Sequence, residues 1–228
     1  MTAPALITLA HGSRDPRSAA TIKALVAETR KMRPDLRIEP AFLELARPDF
    51  AHVVARLVKA GFDEIVVVPL LLSDAYHAKV DVPRSVAEAT ARHPGLQIRM
   101  THILGLEPTF LDVLDRRLRE ALRQARVREL DALVLAAAGS SDPLANQAVS
   151  RLARVWGARH KLPVTAAFAS SAPPATGEAV RAFRGQGKRH VAVASLFLAP
   201  GFLPDRAAEL ARTILARYAV GAVELVPV

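Results

Sequence analysis

Two histidines and one acid stand out in this chain because each follows a short apolar run. His11 follows ALITLA, Glu44 follows the run ending PAFL, and His77 closes VVVPLLLSDAYH. Short apolar runs of this kind read as buried strands. In an open α/β sheet the loops after the strands gather at one edge, and ligands bind there. Two imidazoles and a carboxylate are therefore expected at a single sheet edge. In a chain with no cysteine to offer a thiolate, that set suits a divalent metal of borderline hardness. Imidazoles also titrate near neutral pH, so the same residues could accept protons.

The neighbours of these residues are polar. His11 leads into Ser13, Arg14, Asp15 and Pro16, and the third loop carries Asp74, Tyr76, Lys79 and Asp81, with Arg84 close behind. Each has a plainer reading. A lone histidine after a strand is often a capping group, and Glu44 alone could be a surface carboxylate. Ser13 and Asp15 suit a turn and a helix N-cap. Arg14 and Lys79 could bind carboxylates of a ligand or be solvated. The joint placement of His11, Glu44 and His77 is what favours a site. His52, His93, His102, His160 and His190 lie on helices or away from this edge and read as surface or packing residues.

An internal repeat supplies a comparison. LITLAHGSRDP (Leu6 to Pro16) matches LVLAAAGSSDP (Leu133 to Pro143), and PAFLELARP, ending at Pro48, matches AAFASSAPP, ending at Pro174. VVVPLLLSDAYH, ending at His77, matches VAVASLFLAPGFL, ending at Leu203. In this register His11 aligns with Ala138, Glu44 with Ser170 and His77 with Leu203. Gly12, Ser13, Asp15 and Pro16 keep their counterparts. Shared residues look like turn geometry, and residues present in one copy look like chemistry.

The elements that must position these loops alternate between strand and helix. The first half reads as strands at Ala5–Ala10, Arg37–Leu43, Glu64–Leu72 and Gln97–Ile103. Helices fall around Ile22–Met32, Phe50–Val58 and Val82–Ala91, with a long one at Glu107–Arg126. The second half repeats the order, with strands near Ala132–Ala137, Val164–Ala169, His190–Phe197 and Ala222–Val226. Alternating βα units imply parallel sheets with right-handed crossovers. The expectation is α/β: two tandem homologous doubly wound domains, 1–125 and 126–228, each with a four-stranded parallel sheet flanked by helices. The first would carry the site, and the second, degenerate copy would complete a cleft.

Composition excludes several classes. Half the residues are hydrophobic, which is enough for a buried core. The start of the chain lacks the basic and apolar regions of a signal peptide. The longest apolar run, Ile65–Leu72, contains Pro69 and falls short of the roughly 18 residues a membrane span needs. A cytoplasmic protein without a membrane segment is expected. The net charge of +9 points to anionic partners. Arginines spread over the helices and few aromatics argue against nucleic acid. GxGxxG and GxxxxGK[ST] are missing, as is a GxSxG elbow, so nucleotide binding and a serine hydrolase are poorly supported.

The motifs LAHGSRDP, FLELARPD and VVVPLLLSDAYHAKVDVP together resemble those of the class II tetrapyrrole chelatases, the sirohydrochlorin cobaltochelatase and ferrochelatase family of CbiX/SirB type. Asp74-Ala75-Tyr76 departs from the small, glycine-containing stretch of many relatives. The resemblance covers the whole chain, since longer members join an active first half to a degenerate second. It implies insertion of a divalent metal, cobalt or ferrous iron and possibly nickel, into sirohydrochlorin, for siroheme or cobalamin. The metal is a substrate, and no organic cofactor is implied. His11, His77 and Glu44 would be the metal-binding and catalytic residues. Ser13, Arg14, Tyr76, Lys79 and Arg84 would meet the polycarboxylate tetrapyrrole. A duplicated chain suggests a monomer, a pseudo-dimer within itself. The competing reading is a non-catalytic tetrapyrrole- or metal-binding protein on the same scaffold.

Overall fold

Aspartate–proline pairs open the first helix of each repeat. Asp15 accepts a hydrogen bond from the Arg17 N–H and Asp142 from the Leu144 N–H, both at 2.9 Å. Pro16 and Pro143 hold the first helical position, where a missing N–H costs nothing. The computed structural model describes residues 3–73, 77–217 and 226–227. It divides into two units, Met1–Gly105 and Leu106–Val228.

The first unit contains β1 (Ala5–Ala10), α1 (Pro16–Met32), β2 (Ile38–Phe42), α2 (Phe50–Lys59) and β3 (Glu64–Pro69). A π-helical turn (His77–Asp81), α3 (Val82–Arg92) and β4 (Gln97–Met100) complete it. The strands are all parallel, in the order β2-β1-β3-β4. Strands two, three and four are shorter than expected, although single backbone hydrogen bonds carry the ladder past their ends, as from the Leu70 N–H to the Leu9 carbonyl and from the Thr101 N–H to the Val67 carbonyl. The π-helical turn before α3 left no periodic signal in the sequence.

The second unit contains α4 (Thr109–Gln124), β5 (Ala132–Ala137), α5 (Pro143–His160), β6 (Val164–Phe168), α6 (Thr176–Gly185), β7 (Val191–Ser195), α7 (Phe202–Arg217) and β8 (Val226–Pro227). Its parallel sheet runs β6-β5-β7, with a two-residue pairing of β8 at the edge. Most of the strand expected at Ala222–Val226 lies outside the described residues.

Helix α4 explains why the units divide at Gly105 and Leu106 rather than at the repeat boundary expected near 125. Its apolar stripe, Leu111, Leu114, Leu118 and Ala121, is buried, and the helix packs on β7 and β8. The second sheet is accordingly covered on both faces, and every residue of β5 and β7 is buried. In the first unit β1 and β3 alternate between buried and half-buried positions, the pattern of a sheet less fully covered on one face.

Ionic contacts reinforce this packing. In the first unit the buried carboxylate of Glu39 on edge strand β2 meets Arg30, Arg37 and Arg56 at 3.1, 2.7 and 2.7 Å. Arg30 and Arg56 tie α1 and α2 to the strand. In the second unit Asp115 of α4 accepts hydrogen bonds from the indole N–H of Trp156 at 2.7 Å and from Arg159 at 3.1 Å, and meets His160 Nε2 at 2.7 Å. Partial burial raises the Asp115 pKa, but the hydrogen bonds from His160, Trp156 and Arg159 outweigh it, and the net shift is downward.

A depressed carboxylate pKa stabilises the fold above its unfolded value and loses that contribution as pH falls through the folded value. Asp115→Ala is expected to lower the unfolding free energy by about 1–3 kcal/mol near neutral pH, since buried donors lose their acceptor. In urea denaturation the gap between variant and parent should close as pH drops below the ordinary aspartate value of 3.8. Equal stability at neutral pH would show that α4 is held by its leucines alone.

Candidate functional site

The loops after β1 and β2 are laced together by backbone hydrogen bonds that continue the sheet ladder. The Leu43 N–H donates to the Ala10 carbonyl at 2.9 Å, and the Glu44 N–H to the His11 carbonyl at 3.0 Å. The second loop then turns back on its own strand. Leu45 takes φ 59°, the Arg47–Pro48 bond is cis, and the Phe42 N–H donates to the Pro48 carbonyl at 3.0 Å.

This lacing brings two of the expected site residues together. His11 Nδ1 lies 3.5 Å from Glu44 Oε1. That distance is longer than a usual N–H···O hydrogen bond and within ion-pair range. The Nδ1 atom is shielded from solvent, while the side chains are 35% and 55% exposed. The carboxylate thus lies beside an imidazole that stays partly open to solvent.

His77 opens the π-helical turn after β3, so its backbone follows the neighbouring strand of the same sheet. Its side chain, and all of Asp74 and Tyr76, lie outside the described residues. Among the described residues no group of three or more His, Asp or Glu forms a metal-holding cluster. Ser13 accepts from the Asp15 N–H at 3.1 Å, so its oxygen shapes the turn. Arg14 and Lys79 are exposed, and Arg84 pairs with Asp81 at 2.7 Å in the first turn of α3. Asp15 is held below the usual carboxylate range by Arg17. Among the other histidines, His160 and His190 meet Asp115 and Asp131, His93 caps α3, and His52 and His102 are exposed.

The second unit keeps the same scaffold without the ionisable pair. The Ala169 N–H donates to the Ala137 carbonyl and the Ser170 N–H to the Ala138 carbonyl, both at 2.9 Å. Ser171 takes φ 60° and the Pro173–Pro174 bond is cis. Ser140 accepts from the Asp142 N–H at 3.0 Å, as Ser13 does from Asp15. In place of Glu44, Ser170 donates its hydroxyl to the Ala138 carbonyl at 3.0 Å. Two large apolar side chains, Leu144 and Phe202, are 65% and 73% exposed at the starts of α5 and α7. Sequence reading did not single them out, because exposure of an apolar residue has no local signature.

The CbiX family model matches residues 5–121 and again residues 132–220. The chain belongs to the CbiX family. Its two matched stretches correspond to the two repeats, so the α/β architecture of tandem parallel sheets is that of this family. A sirohydrochlorin cobaltochelatase of Priestia megaterium is 26% identical over 209 residues, spanning 91% of this chain and 68% of that protein. A sirohydrochlorin ferrochelatase of Bacillus subtilis (strain 168) is 30% identical over 155 residues, spanning 66% of this chain and 57% of that one. In fold, the chain is similar to the sirohydrochlorin chelatase SirB from Bacillus subtilis subspecies spizizenii, solved in complex with cobalt. The TM-score is 0.79 with 24% identity, over 98% of this chain and 86% of that one.

If Glu44 orients the His11 ring, its charge should matter to metal affinity. Glu44→Gln is expected to weaken Co2+ binding by roughly 10- to 100-fold, the usual effect of losing a carboxylate behind an imidazole ligand. Titration of cobalt absorbance measures it, and unchanged affinity would remove Glu44 from the site.

Proposed function

We infer that this protein is a sirohydrochlorin chelatase, inserting cobalt or ferrous iron into the macrocycle. The observation that carries the reading is the His11–Glu44 pair at 3.5 Å on the carboxyl edge of the first sheet, where the second repeat has Ala138 and Ser170 on the same loops. The relatives named as cobaltochelatases and ferrochelatases support turnover over mere storage of metal or tetrapyrrole.

Insertion requires that a hydrated metal reach one face of the ring and that both pyrrole N–H protons leave as the metal–nitrogen bonds form. The oxidation state is unchanged, so no organic cofactor is called for. His11 and His77 are the proposed metal carriers, and one of them accepts a proton. With Nδ1 turned to Glu44, the other nitrogen of His11 is the one proposed to meet the metal. Glu44 holds the ring and can take a proton in turn. Arg14, Lys79, Arg84, Ser13 and Tyr76 are proposed contacts for the substrate's carboxylates. Imidazole and carboxylate discriminate weakly among cobalt, iron and nickel, so supply would decide the metal. A monomeric, cytoplasmic enzyme belongs to the same proposal. No helix among the described residues is long and apolar enough to cross a membrane.

Anaerobic turnover of sirohydrochlorin with Co2+ or Fe2+, followed by absorbance, tests the reading. Multiple turnovers are expected for the parent. His11→Ala and His77→Ala should each cut the rate by at least about 10²-fold at low metal, the lower end for a lost acid–base group. A single stoichiometric spectral change in the parent would make it a binder, and parental rates in both variants would dismiss the assigned roles.

A further inference from the structure

We propose that Gly12 is a positioning residue for the metal-handling pair, acting through the backbone of Glu44; this rests on the chelatase reading above. Gly12 takes φ +99°, a conformation that L side chains rarely adopt. A Cβ placed there would lie 1.8 Å from the carbonyl oxygen of Glu44 and 3.0 Å from its carbonyl carbon. The atoms in the way therefore belong to the backbone of the residue that supplies the carboxylate, and no side-chain rotation can clear them. Real Cβ atoms essentially never approach closer than 3.0 Å, so the two loops would have to part by at least 3.0 − 1.8 = 1.2 Å. The hydrogen bond from the Glu44 N–H to the His11 carbonyl spans the same gap. The 3.5 Å approach of Nδ1 to Oε1 would widen with it.

The second repeat contains the control. Gly139 takes φ +86°, and a Cβ there would lie 1.9 Å from the Ser170 carbonyl oxygen, 3.0 Å from its carbon and 3.1 Å from Phe168 Cβ. The steric conflict is similar, but the side chains around it are those of Ala138 and Ser170. If the glycines serve only the fold, alanine at either position should have the same consequence. If Gly12 sets the imidazole–carboxylate spacing, the consequences separate.

The test compares Gly12→Ala with Gly139→Ala in the full chain by thermal unfolding, titration with Co2+ alone and steady-state cobalt insertion. Both midpoints should fall by similar amounts. Displacing reacting groups by about 1 Å costs on the order of 10²-fold, so Gly12→Ala should lose kcat by about that factor, weaken Co2+ binding at least ~10-fold and leave the tetrapyrrole KM within ~2-fold. Gly139→Ala should keep the parental kcat and Co2+ affinity. Equal losses in both variants, or parental kcat in a folded Gly12→Ala, overturn the proposal. So does a Gly12→Ala chain that fails to fold, since the glycine is then a folding residue. If the parent binds Co2+ but does not turn over, the chelatase reading fails on its own, and the cobalt titrations still decide the role of Gly12.

Discussion

The candidate site depends on the close approach of two loop backbones, the His11–Gly12 turn and the carbonyl of Glu44. Hydrogen bonds extend the β1–β2 ladder past the ends of the strands, and a glycine allows the second loop to press against the first. An imidazole and a carboxylate then meet although they lie far apart in sequence. Gly12 takes its positive φ without steric cost, whereas Leu45 at φ 59° carries one that the ladder bonds nearby offset.

The same clasp occurs in the second repeat around Gly139 and Ser170, which separates scaffold from chemistry within one chain. The turn residues Ser13 and Asp15 have working counterparts in Ser140 and Asp142, with matching hydrogen bonds. What differs is the load the clasp carries. Around Glu39 the repeats diverge as well. The first closes its edge strand with three arginines, whereas in the second Gly157 packs against Val164 so tightly that a Cβ would lie 2.4 Å from its side chain.

Much of this was legible in the sequence. The repeats, the alternation of strand and helix and the meeting of His11 with Glu44 follow from apolar runs and from what each copy retains. The N-cap at Asp15 was readable because a cap is a local signal, and the repeat register carries it to Asp142. The destination of α4 was not, because an amphipathic helix does not record which sheet it covers. Only the fit of Leu111, Leu114 and Leu118, with Asp115 against Trp156, decides that. Gly12 was readable only as a turn residue kept in both repeats. Its contact with Glu44 is set by tertiary approach, which no single segment encodes. The backbone of His77, the other proposed site residue, opens a π-helical turn on the chain after β3.

The central claim is that His11 and Glu44 act as one unit on the metal, and a double-mutant cycle on Co2+ affinity tests it most directly. His11→Ala, Glu44→Gln and the double variant would be titrated under identical conditions. The account expects a coupling free energy of about 0.5–3 kcal/mol, with the double variant little worse than His11→Ala. Losses that add to within about 0.3 kcal/mol would mean that the two residues act independently, and would contradict it.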